Sequence, residues 1–173
     1  MRAATADSRF GNPVVNLALD PLFTAGPGGW VGGVIEHWEP GKLTVTGGYT
    51  PKISVEPGTI VSVLVDITTV TGDERIGIHD TEFGSGAFNF EGDFRTMSGP
   101  LSAGRFTLKR RILTDGFRVR TGLSGRAVSV TMSGLSVTEG RMVLAGIVHG
   151  DQYDARWLGA RHNSPSVGYP QPR

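Results

Sequence analysis

The chain contains no cysteine among its 173 residues. Disulfide scaffolds, thiolate zinc sites, iron–sulfur clusters and cysteine nucleophiles are excluded together, so stability has to come from packing or from assembly. Lysine is scarce as well. Only Lys42, Lys52 and Lys109 stand among the 17 basic residues, a bias that fits a GC-rich genome and suits interface ion pairs. No run approaches the roughly 18 apolar residues that a membrane span needs, so no membrane insertion is expected. The first residues carry Arg2, Asp7 and Arg9 where a secretion signal needs an apolar stretch, so no secretion address is expected.

What is abundant is glycine, 26 residues, with 10 prolines. That load opposes long helices and favours short elements joined by turns. The net charge of +1 gives no reason to expect nucleic-acid binding, but it is a cancellation. Residues 1–100 hold 6 basic and 12 acidic side chains, net −6, and residues 101–173 hold 11 and 4, net +7. Either the two parts interleave in one sandwich with their charges paired or solvated, or the molecule is dipolar and docks on its neighbours.

Strand chemistry recurs between turn signals from residue 13 onward. Val14 to Leu19 is apolar and is broken by Gly26-Pro27-Gly28-Gly29, beside which Trp30 is expected in the core. Ile60 to Ile67 is the strongest strand, with Val61, Val63, Val65 and Ile67 on one face, and is expected to be central. Phe106 to Leu113 leads through Asp115-Gly116 into Phe117 to Arg120, which predicts a hairpin. Arg118 and Arg120 then share a face, read first as solvated and alternatively as a phosphate or acidic-glycan contact. Ala127 to Val137 alternates, and the tail after Gly140 turns polar and Pro-rich. About ten short strands without helical periodicity predict an all-β antiparallel jelly roll or β-sandwich with an extended C-terminal arm. The expected division is an N-terminal arm over 1–12, the sandwich over 13–140 and an arm or hairpin over 141–173.

Catalytic signatures fail one by one, and no enzymatic activity is expected. Gly26-Pro27-Gly28-Gly29-Trp30-Val31 lacks the last glycine of a nucleotide fingerprint, and no Gly-x-Ser-x-Gly elbow exists. His37, His79, His149 and His162 are far apart and have no helical ligand partner, so no metal is expected. His79-Asp80-Thr81-Glu82 reads as a polar turn. Glu91 and Asp93 fall among the phenylalanines of a Gly-rich stretch over residues 81–101, and nothing in the spacing makes them a hydrolytic pair. Binding fares better. Trp38 and Trp157 lie outside the cleanest core strands, and an exposed indole is a platform for a pyranose ring or a protein partner, with Asp93 as a hydrogen-bonding neighbour.

Val15-Asn16-Leu17-Ala18-Leu19-Asp20-Pro21-Leu22-Phe23 followed by Gly29-Trp30 resembles the opening of jelly-roll carbohydrate-binding-module-like domains, with Asp20 in place of the usual Asn. Pro57-Gly58 before the long strand, and Val130 to Gly140 as the closing strand, fall in the same order. Gly134 stands where many relatives carry Asp, so no cofactor is expected and a structural calcium site finds no support. The segment from Val148 to Ser166 resembles the end of tailed-phage minor tail proteins. Gly150, Asp151, Trp157, Gly159, His162, Ser164 and Ser166 match that motif, while His149 and Arg161 depart from it.

The resemblance implies a virion structural protein, a minor tail component near the distal tail, assembled in the host cytoplasm with other tail subunits. A homo-oligomer and contact with host cell-surface carbohydrate are implied with it. Asp151, Tyr153, Trp157 and His162 are the expected assembly arm, which alternatively folds back on the sandwich. A capsid decoration protein and a secreted carbohydrate-binding module are the other functions the pattern allows.

Overall fold

The computed structural model describes residues 14–80, 95–97, 100–122, 128–140, 147, 150–151, 155–162 and 165–168. Within them the regular elements are all strands. In chain order they are β1 (Val14–Asn16), β2 (Val34–Glu39), β3 (Lys42–Thr46), β4 (Gly48–Tyr49), β5 (Ile53–Ser54), β6 (Ile60–Val70) and β7 (Gly77–Asp80). There follow β8 (Arg95–Met97), β9 (Gly104–Arg111), β10 (Gly116–Thr121), β11 (Val130–Glu139), β12 (Arg156–Trp157) and β13 (Ser166–Gly168).

Two sheets form a jelly-roll sandwich. The first runs β2-β3-β11-β6-β9, and the second runs β4-β10-β7-β8, with β5 also paired to β10. All of these pairings are antiparallel. Alternation explains the core: Val61, Val63, Val65 and Ile67 of β6 pack with Leu43 and Val45 of β3 and with Phe117 and Val119 of β10. Trp30 is buried in the same core. In β11 the inward residues are Val130 and Met132, then Leu135 and Val137. The change of parity falls on an irregularity between Met132 and Gly134, where an extra residue returns the later side chains to the core.

The expected central strand is flanked by β11 and β9, as its apolar density implies. Its other face is buried too, because Leu64 packs with Val14, Leu22 and Ile147. The predicted hairpin at Asp115-Gly116 is not formed, since β9 and β10 belong to different sheets. Ile112 is fully buried, donates its N–H to the Thr59 carbonyl and accepts from the Gly58 amide, which holds the chain to the first sheet beyond Arg111. Asp115 then accepts from the Val55 amide at the corner into the second sheet. Asp-Gly here makes a corner between sheets. His79 and Asp80, read as a turn, instead end strand β7, while Thr81 and Glu82 lie outside the described residues.

A third, small sheet joins the two ends of the chain in the order β1-β13-β12. Asn16 stands opposite Ser166, which in turn stands opposite Trp157.

Candidate functional site

The opening motif is explained by its backbone bonds. β3 pairs with β11 only along Val130 to Met132, so the later β11 amides need other partners. Asn16 supplies one. Its buried Oδ1 accepts from the Val137 amide at 2.8 Å and from the Ala18 amide at 3.1 Å. Leu17 then donates to the Val137 carbonyl, and Leu135 donates to the Pro21 carbonyl.

That course delivers Asp20 into a tight loop. Asp20 is 2% exposed, and its carboxylate accepts from the amides of Ala25 at 2.7 Å and Gly26 at 3.0 Å and from the Thr24 hydroxyl at 2.7 Å. Burial alone raises its pKa, but these donors outweigh burial and hold it below the usual carboxylate range. Asp20, Phe23 and His162 are the non-glycine residues with left-handed backbone angles among those described, and all three meet here.

His162 arrives from the opposite end of the sequence. Its Nδ1 lies 3.1 Å from Asp20 Oδ1 and 3.1 Å from Thr24 Oγ1, and its Nε2 lies 3.1 Å from Asp151 Oδ2. Asp151 also accepts from Trp157 Nε1 at 3.0 Å and from Arg161 through Nε at 2.9 Å and Nη2 at 3.1 Å. The Arg161 fork, followed by the Trp157 N–H and the charges of Arg161 and His162, lowers the Asp151 pKa to about 2 against the effect of burial. The Trp157 and His162 rings sit 5.0 Å apart with a 56° tilt. Gly150 lies against the indole so closely that an added Cβ would stand 2.5 Å from it.

The structure therefore gathers Asp151, Trp157 and His162 into one clasp closed on the Asp20 loop, the fold-back arrangement. Tyr153 and Asp93 lie outside the described residues. Arg161, a departure from the resembled motif, makes the bidentate pair. Asp20 and Thr24 were missed as partners of the arm; the Asp20-Pro21 pair is a turn signal visible in the sequence.

Trp38 occupies a different place on the same loop. Every residue of its strand β2 is exposed, including Val34 and Ile35. The Trp38 indole is 36% exposed, and its Nε1 donates to the Phe23 carbonyl at 2.9 Å. One bond thus fixes the ring while a face stays open. Both indoles are tied to residues 20–26, Trp38 through Phe23 and Trp157 through Asp151, His162 and Asp20. Among the described residues no group of three or more His, Asp or Glu converges as a metal site.

No protein-family model matches the chain, and no curated protein matches it. Among solved structures it is similar to one described as "CBM4 structure and function", with 12% identity over 76% of this chain and 96% of that one and a TM-score of 0.44. It is also similar to the second N-terminal cellulose-binding domain of Cellulomonas fimi β-1,4-glucanase C, with 17% identity over 80% of this chain and 100% of that one and a TM-score of 0.48.

Proposed function

We propose that the chain is a non-catalytic structural module of a tailed-phage tail, a minor tail protein near its distal end, which meets host surface glycan through Trp38. The observation that carries this reading is the clasp. The residues of the tail-protein-like segment, Gly150, Asp151, Trp157, His162 and Ser166, lock onto Asn16 and Asp20 of the jelly-roll-like opening. The two resemblances thus describe one folded unit. A closed clasp joins both chain ends into the sandwich, and its exposed partner-facing feature is the adjoining edge strand β2 with Val34, Ile35 and Trp38.

Mass spectrometry of purified virions tests the structural role, with the chain recovered at a fixed stoichiometry as the expected result. A cell-wall pull-down tests the glycan role: the wild type is retained and Trp38→Ala is not. No retention of the wild type ends the glycan part of the proposal.

A further inference from the structure

The five-stranded sheet ends in two edges that differ in charge. Its order is β2-β3-β11-β6-β9, so β2 and β9 each pair with a strand on one side only among the described residues. An edge strand presents backbone N–H and C=O groups with which another strand can pair. Successive antiparallel pairings lead from β2 through β3, β11 and β6 to β9, so β2 and β9 run in the same direction. A second copy set beside the first without turning over therefore lays its β2 along β9 as a parallel neighbour.

The side-chain rows match across that junction. In β9, Phe106 and Leu108 stand beside Val65 and Val63 and pack against the core, while Arg105, Lys109 and Arg111 alternate onto the outer side. In β2, Ile35 and Trp38 stand beside Val45 and Leu43, again on the core side, yet both are exposed. They share that side because a register shift between Ile35 and His37 inserts Glu36. Glu36, which accepts from the Thr46 hydroxyl, and Glu39, opposite Lys42, fall on the outer side.

The charges differ in how firmly they are already held. Arg105 is bound to Asp66 by two bonds, at 2.8 Å and 3.0 Å. Arg111 donates to the Gly58 carbonyl at 3.0 Å, a neutral partner that leaves its charge in place. Lys109 is exposed and has no carboxylate partner among the described residues. On β2, Glu39 lies 3.0 Å from Lys42 and 3.9 Å from His37, all of them exposed, and such surface pairs are worth little.

We infer that β2 of one copy pairs with β9 of the next, so that the sheet runs on from copy to copy. With Ile35 beside Phe106, Trp38 falls beside Leu108, Glu36 and His37 share Thr107, and Glu39 reaches Lys109. Apolar side chains meet apolar ones on the core side, and an acid meets a base on the outer side. The contact joins two different patches, so it repeats. Sheet twist turns each added copy, which gives a ring or a helical row in place of a closed pair. The inference stands whether or not the chain binds glycan or belongs to a virion.

The lack of native cysteine makes a direct test available. Glu39→Cys and Lys109→Cys place thiols on strands about 4.8 Å apart, within disulfide reach. Under mild oxidation their mixture is expected to give a covalent one-to-one pair, and each variant alone far less. Sedimentation of the wild type is expected to show species larger than a dimer. Glu39→Lys and Lys109→Glu are each expected to weaken association about tenfold while the melting temperature holds. A monomer at every concentration, cross-linking of Glu39→Cys to itself, or association of Lys109→Glu equal to that of the wild type overturns the inference.

Discussion

At the scale of single residues, what matters most is which atoms sit against which. Gly150 has no side chain because the Trp157 indole occupies that space. Gly150→Ala forces the ring away and is expected to destabilise the protein by about 1–3 kcal/mol, as overpacking does, with loss of the Trp157 contact visible in fluorescence. Asn16 is fully buried and satisfies two amides. Asn16→Ala leaves the Val137 amide without its acceptor and is expected to cost about 1–3 kcal/mol in chemical denaturation. An unchanged midpoint would show that the residue does not hold β11 to the opening segment. Asn16 was noticed in the sequence only as part of a resemblance. Its role was not legible there, because the amide it serves lies 121 positions away.

At the scale of elements, the strands were readable where one face is apolar and the other polar, and less so where tertiary structure intervenes. Ile60 to Ile67 declared itself a core strand through its β-branched residues. Burial of its second face by Val14, Leu22 and Ile147 depends on segments distant in sequence and had no local signal. The Asp115-Gly116 turn was misread because a tight turn has the same local chemistry in a hairpin and at a corner. Ile112, held by Gly58 and Thr59, decides between them. In the arm, the spacing of Asp151, Trp157 and His162 suggested docking or fold-back equally, and the contact of His162 with Asp20, 142 positions away, had no local signal.

The clasp has a pH signature. Asp151 is held at about 2 and Asp20 below its usual value, so both carboxylates bind protons more readily in the unfolded chain. Their contribution to stability is fully present above the ordinary carboxylate range and is lost as pH falls through it toward about 2. Thermal melts between neutral pH and pH 2 are expected to show this loss, and Asp151→Asn is expected to flatten it. An acid profile identical to wild type in that variant would rule out Asp151 as a source.

At the scale of the whole molecule, β9 carries Lys109, Arg110 and Arg111, whereas β2 carries Glu36 and Glu39, the latter paired with Lys42 at 3.0 Å. β2 and β9 are opposite edges of one sheet. Edges of unlike charge suit association between copies of the chain. Sedimentation at low and high salt is expected to show self-association that weakens as salt rises. A monomer at every salt concentration would remove the homo-oligomer from the account. The central claim, a module built into a phage tail, is tested most directly by immunogold labelling of intact virions with an antibody to this chain. The account predicts gold at the distal tail, and labelling of the head, or of no part of the particle, contradicts it.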